Sequence, residues 1–343
     1  MKIASFFSGA GGLDLGFENA GFDIVFANDN WKGCWKTYEK NHGLKIDRRS
    51  IEDIKGEDIP DVVGFIGGPP CQSWSLAGAM KGIKDSRGQL LYDYVRLIEA
   101  KEPKFFLAEN VPGMVCKTHL PEFEKFKESL KDIGYNVSFK VVNANDYEVP
   151  QDRKRVLLVG LHESLNKEFE FPEPITPKLT LKDAIGDLPE PLPAYGKNKA
   201  NPFSELDIPN HEYMTGEFSS MYMSRNRVRK WDEPSFTIQA GGRHAPCHPQ
   251  ANTMIKVDKD QRIFDPESPK PYRRLSVREC ARIQTFPDDF IFYYTNINDG
   301  YKMIGNAVPV KLAENIAMQI KNILSWFFII KFSMKKNINL KYY

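Results

Sequence analysis

The chain has 343 residues, 41% of them apolar and 27% charged, with a formal net charge of +2. These are the proportions of an ordinary soluble globular protein; they exclude a mainly disordered, collagen-like or polytopic membrane chain. With so little net charge, any polyanionic partner must be met by a local basic patch. The five cysteines are scattered, with no Cys-x-x-Cys pair. That argues against a disulfide framework or a zinc ribbon, and no metal site is expected.

The start lacks the basic residues, apolar stretch and cleavage site of a signal peptide. Short apolar or β-branched runs at residues 3–7, 24–27, 62–66, 105–108, 137–142 and 156–159 are bounded by Gly, Pro, Asn or Asp and predict strands. Residues 13–20 read as a helix. Leu90, Tyr94, Leu97 and Ile98 recur at three and four, as do Phe123, Phe126, Leu130 and Ile133. That is the period of a helix with one buried face. Strands alternating with helices predict an α/β domain, doubly wound around a mostly parallel sheet.

Prolines 172, 174, 177, 189 and 191 mark a crossing into a second unit. Residues 194–274 are poorly periodic and predict a smaller, irregular, β-containing domain. Residues 276–285 read as helix again. Leu312, Ile316, Ile320 and Ile323 form a stripe expected to pack back on the first domain. The expected division is 1–175 with 303–325, then 176–302, then a tail 326–343 that frays. The apolar run 323–330 is far short of the roughly 20 residues that a membrane span needs.

Four segments carry chemistry. Phe6-Phe7-Ser8-Gly9-Ala10-Gly11-Gly12 joins a predicted strand to a helix, where glycines let a ligand approach the backbone and its free N–H groups. Asp29 closes the next strand, placed to accept bonds from ribose hydroxyls. Alone, these residues indicate an adenosine cofactor or a plain tight turn, and the glycine spacing does not match the dinucleotide pattern. Gly67-Gly68-Pro69-Pro70-Cys71-Gln72-Ser73-Trp74-Ser75 follows a strand. Two prolines stiffen that loop, and a nearby cation would activate Cys71 as a thiolate; the bland alternative is a packing cysteine. Glu109-Asn110-Val111 also ends a strand, as a general acid or merely a solvated loop acid. In Gln151-Asp152-Arg153-Lys154-Arg155, alternation puts Arg153 and Arg155 on one face, able to bind phosphate and stabilise a thiolate, or forming only a basic edge.

In this order the segments resemble the cytosine carbon-5 DNA methyltransferase family. The stretch from Arg274-Leu275-Ser276 to Thr285-Phe286-Pro287 is similar to its late helix motif, and Gly305-Asn306-Ala307-Val308-Pro309 to its last motif. The likeness covers roughly residues 3–320. Within the family the HaeIII-type (GGCC) methyltransferases are most similar, through Met223-Ser224-Arg225-Asn226-Arg227-Val228-Arg229 and His248-Pro249.

The resemblance implies an S-adenosyl-L-methionine-dependent methyltransferase fold with a target-recognition domain at 176–302. It implies that Cys71 attacks carbon 6 of a cytosine flipped out of double-stranded DNA. Glu109 would hydrogen-bond ring nitrogen 3 and the amino group. Arg155 would hold the carbonyl oxygen, and Arg153 would support the loop and phosphate. Phe7 would stack on the cofactor's adenine, Gly9, Gly11 and Gly12 would surround its methionine part, and Asp29 would take the ribose. Leu90, Asn306 and Val308 would complete that site. Ser75 would touch phosphate and Met221 would wedge into the gap. Arg225, Arg227 and Arg243 are expected on bases, Arg229 and Lys230 on phosphates. The chain departs from the pattern at Asn30, which precedes Trp31, and at Ser50, where the family has an Asp for the adenine amino group. Ser50 is therefore expected to weaken cofactor binding. A monomer acting in the cytoplasm of a bacterium, or encoded by a phage, is expected, with any cognate restriction endonuclease acting separately. The competing readings are a non-catalytic DNA-binding relative and an RNA cytosine-5 methyltransferase.

Overall fold

The structure, a computed structural model, describes residues 1–70 and 86–339. Cys71 and Ser75 therefore lie outside the described residues. In chain order the first part runs β1 (Lys2–Phe6), α1 (Gly12–Asn19), β2 (Asp23–Asn28), α2 (Lys32–His42), β3 (Gly64–Gly67), α3 (Ser86–Lys101), β4 (Phe105–Asn110), α4 (Leu120–Asp132), β5 (Tyr135–Asn143) and β6 (Lys154–His162). Every strand expected from the sequence is present. They form one sheet in the order β2-β1-β3-β4-β6-β5. β1 is parallel to β2 and β3, and β3 to β4. β6 runs antiparallel to both its neighbours.

Both faces of this sheet are buried, and period-two alternation sorts its side chains between them. Ile3, Ile66, Leu107, Leu157 and Val159 meet Leu13 and Phe17 of α1 on one face. Ala4, Phe65, Phe106, Val156 and Leu158 meet Tyr94 and Ile98 of α3 and Phe123 and Phe126 of α4 on the other. Helices on both faces are what make the near-continuous apolar strands tolerable in a largely parallel sheet.

The second part runs α5 (Leu181–Ile185), β7 (Leu192–Pro193), β8 (Glu212–Tyr213), β9 (Ile255–Asp258), β10 (Gln261–Ile263), α6 (Val277–Ile283), α7 (Ile297–Asn306) and α8 (Val310–Asn339). It is irregular, as its poor periodicity predicts. A small core of Tyr222, Val228, Cys247 and Met254 is capped by Phe218, Phe264 and Tyr272. α6 starts with a reciprocal cap: Ser276 Oγ accepts from Glu279 N at 3.0 Å, and Glu279 Oε2 accepts from Ser276 N at 2.7 Å.

α8 returns to the first sheet, where Leu312, Ala313, Ile316 and Ile320 pack on Leu13 and Phe17. It continues as helix to Asn339. The α1–α8 contact depends on Gly16. A Cβ there would run into the Ala313 methyl and lie 2.6 Å from the Val310 carbonyl oxygen. Gly16→Val is expected to cost about 1–3 kcal/mol by overpacking. Gly196→Ala, with open space at its Cβ, should stay within about 0.5 kcal/mol. Urea unfolding midpoints of the two variants check this.

Candidate functional site

The carboxyl ends of β1, β2, β3 and β4 open onto a cleft of about 390 Å³. This is the edge at which doubly wound sheets hold ligands. Phe7, Ser8, Gly9 and Gly12 line it after β1, and Asp29 and Trp31 after β2. Pro69 and Pro70 line it after β3, Glu109 at the end of β4, and Asn306 and Val308 between α7 and α8.

The arginines reach this edge because β6 is reversed. Asn110 lies opposite Val156 and Glu109 opposite Leu157, so the start of β6 stands beside the end of β4. Arg155 Nε forms an ion pair with Glu109 Oε1 at 2.7 Å, with both side chains largely buried (14% and 11% exposed). Its Nη1 donates to the Lys154 carbonyl, which fixes the guanidinium. Among the described residues no donor bonds Glu109 Oε2.

Arg153 also borders the cleft, but its guanidinium is taken up by backbone carbonyls. It is fully buried and donates to the carbonyls of Ile238, Gly305 and Ala307 at 3.0, 2.9 and 3.1 Å. The expected phosphate contact gives way to a strut that ties the sheet to the second part of the chain. Gln151 belongs to the same hub. Its Nε2 donates to Gln284 Oε1 at 2.8 Å, and its Oε1 accepts from Ile238 N at 2.9 Å.

The glycine loop is shaped by close approach. Gly11 has φ +87°, and a Cβ there would fall within the His42 ring. A Cβ on Gly12 would lie 2.5 Å from the Val308 carbonyl oxygen. Asp29 anchors the loop from the side: its Oδ2 accepts from Gly9 N and its Oδ1 from Trp31 N, both at 2.8 Å. Burial raises its pKa, against the pull of these two bonds. Trp31 lines the cleft despite the intervening Asn30, with Lys302 Nζ 4.0 Å above its ring.

These residues fit S-adenosyl-L-methionine. A carboxylate is available for ribose hydroxyls, aromatic faces of Phe7 and Trp31 for a base, and a Cβ-free loop for the amino-acid end. Ser50 and Leu90 do not line the cleft. Ser50 opens a short turn, its hydroxyl bonding Glu52 at 3.2 Å. Leu90 packs with the α3–α4 side of the sheet. Asp47, three residues before Ser50, is held by Arg49 at 2.7 Å.

Sequence reasoning missed the layer beneath the loop. Asp14 is wholly buried and accepts from Ser5 Oγ at 2.7 Å and Tyr38 Oη at 2.6 Å. His42 stacks on Tyr38, pairs with Glu18 at 2.9 Å and has its pKa raised despite the opposing effect of burial, through its hydrogen bond to Glu18 and the nearby Asp14 charge. Burial lifts the Asp14 carboxyl to about 6. The visible signal was a charged residue on the apolar face of a short helix.

In the second part, Arg225, Lys230 and Arg243 are exposed. Met221 is 67% exposed. Arg227, expected on bases, is buried over the Tyr222 ring and donates to the Tyr222 and Met221 carbonyls. Arg229, expected on phosphate, pairs with Asp152 at 2.9 Å and lies over Phe236. Both are drawn inward by the carbonyl and carboxylate acceptors beside them.

The family model for C-5 cytosine-specific DNA methylases matches residues 1–322. The chain is 73% identical over 321 residues to the type II methyltransferase M.MthTI of Methanothermobacter thermautotrophicus, covering 94% of this chain and 97% of the relative. It is 54% identical over 329 residues to M.FnuDI of Fusobacterium nucleatum, covering 95% of each. In fold it resembles a putative DNA modification methyltransferase encoded within an Escherichia coli prophage. The TM-score is 0.71 at 24% identity, over 95% of this chain and 99% of that one.

The raised Asp14 pKa has a signed consequence. Between the ordinary value of 3.8 and about 6 the folded chain holds a proton that the unfolded chain has released. That contribution is fully present below about pH 4 and is lost as pH rises through about 6. Relative to Asp14→Asn, the parent should lose on the order of 3 kcal/mol between about pH 4 and 7, at 1.36 kcal/mol per unit. Urea titrations at the two pH values measure the difference.

Proposed function

The chain belongs to the C-5 cytosine-specific DNA methylase family and is a DNA cytosine-5 methyltransferase that uses S-adenosyl-L-methionine, and from that premise we propose that it modifies the inner cytosine of GGCC within a restriction–modification system. The observation that carries the chemistry is the Arg155–Glu109 pair, set in a cleft whose wall continues through Pro69 and Pro70. Cys71 is the next residue in the chain.

Carbon 5 of cytosine is a weak nucleophile while the ring is conjugated. Cys71 Sγ, as thiolate, adds to carbon 6, breaking that conjugation and moving electron density to carbon 5. Glu109 hydrogen-bonds nitrogen 3 and the amino group, supplying a proton as charge develops there. Arg155 holds Glu109 in place and binds the carbonyl oxygen. S-adenosyl-L-methionine, when bound, supplies an electrophilic methyl group. Once carbon 5 is methylated it loses its proton to water, the bond from carbon 6 to Sγ breaks, and the ring recovers its conjugation. Asp29 and Phe7 hold the ribose and adenine ends of the cofactor, with the backbone of Gly9, Gly11 and Gly12 around its methionine part.

None of this is possible in a stacked duplex, so the base is flipped out, at a cost of a few kcal/mol. Exposed Met221 is the wedge for the gap, and Ser75 meets the adjacent phosphate. Arg225 and Arg243 read guanines and Lys230 meets phosphate. Arg227 and Arg229 hold the recognition segment in shape instead. The enzyme acts as a cytoplasmic monomer, with any endonuclease separate.

Incubating the protein with S-adenosyl-L-methionine and mixed-sequence DNA, followed by bisulfite mapping, should place methylation at the inner cytosine of GGCC. Another motif would overturn the target, and methylation of RNA alone would overturn the substrate. Glu109→Gln should lower the rate roughly 10²–10⁴-fold, read in the same assay. Arg225→Ala should cost about 1–3 kcal/mol and relax one position of the site, whereas Lys230→Ala should weaken all sequences alike. Binding to GGCC and single-mismatch duplexes separates the two.

A further inference from the structure

We propose that Asp14 is the fixed negative charge by which the cleft tells the cationic methyl donor from its neutral product. The inference rests on S-adenosyl-L-methionine as the donor and is independent of the target sequence. The donor carries a positive charge on sulfur that S-adenosyl-homocysteine lacks.

Among the described residues, six charged side chains line the cleft: Asp14, Asp29, Glu109, Arg153, Arg155 and Lys302. Glu109 and Arg155 neutralise each other at 2.7 Å. Arg153 is bound to three carbonyls. Asp29 is held by two backbone N–H groups and feels the charge of Lys302. Asp14 differs. It is wholly buried, and the donors bonded to its carboxyl among the described residues are two neutral hydroxyls, those of Ser5 and Tyr38. Among the described residues no Lys or Arg reaches it.

Groups from three elements face Asp14. β1 gives Ser5, which is linked at 2.9 Å to Ser8 of the glycine loop. α1 gives Glu18, and α2 gives Tyr38 and His42. His42 lies behind the stacked Tyr38 ring and is already paired with Glu18. A charged His42 serves two carboxylates, Glu18 by direct contact at 2.9 Å and Asp14 through its field, so the cluster keeps one negative charge without a cation of its own. A buried, uncompensated carboxylate is costly unless a cation arrives. In a low-dielectric wall its field reaches the cleft with little screening. The raised Asp14 pKa agrees with this picture.

The test is isothermal titration calorimetry of the full chain, without DNA, against S-adenosyl-L-methionine and S-adenosyl-homocysteine. Asp14→Asn keeps an acceptor for Ser5 and removes the charge. It should lower donor affinity about tenfold, a typical coupling between linked sites, and leave product affinity nearly unchanged. In the parent, the donor-to-product affinity ratio should fall as pH drops through about 6; in Asp14→Asn it should be flat. Tyr38→Phe, which removes one donor but not the charge, should keep the donor preference, and it tests the idea even if Asp14→Asn fails to fold. Equal loss of both ligands in Asp14→Asn would mean that Asp14 only shapes the loop. A pH-dependent ratio persisting in that variant would assign the effect to His42. Loss of preference in Tyr38→Phe would also overturn the proposal.

Discussion

The site depends on the direction of one strand. β6 runs against its neighbours, so its first residues rather than its last stand at the ligand-binding edge of the sheet. A parallel strand would deliver Arg153 and Arg155 to the opposite edge. The reversal lets two arginines separated by one residue do different work. Arg155 turns toward β4 and grips Glu109, while Arg153 runs inward and bonds carbonyls of the second part of the chain. The same short segment therefore orients Glu109 and fastens the second part of the chain to the sheet. Gln151 and Gln284, both buried, extend that fastening. Polar groups in such a place are stable only when each finds its partner.

A second constraint is close approach. Gly11 admits the His42 ring and Gly12 admits the Val308 carbonyl. Gly305 has the backbone of Gln239 and Ala240 where its Cβ would be. Each of these glycines lets a separate stretch of chain pack directly against it. The glycine loop is thereby held from below by α2, from the side by Asp29 and from above by the α7–α8 junction. Such a loop is organised before the ligand arrives, which lowers the ordering cost of binding.

The second part of the chain shows how little residue type says about use. Four arginines and a lysine form its basic segment. Two of those arginines, Arg227 and Arg229, are held by protein acceptors, while Arg225, Lys230 and Arg243 remain exposed. A guanidinium is drawn to carbonyls as readily as to guanine or phosphate. The difference lies in what the fold places beside it.

Periodicity in the sequence was enough to mark the strands of the sheet, the α3 and α4 faces, the irregular second unit and the return of the last helix. These follow from local pattern, because an apolar side chain declares its face wherever the chain goes. Motif order likewise brought the glycine loop, Asp29, Glu109 and Arg155 to one family and, through it, to one cleft. Only the tertiary structure decided that Arg153 is a strut, that Arg227 faces inward, and that Ser50 and Leu90 stand apart from the cleft. It also disclosed the Asp14 layer and carried α8 on to Asn339. Each of those outcomes turns on which acceptor or apolar surface a distant segment presents, and no local pattern encodes a partner many residues away.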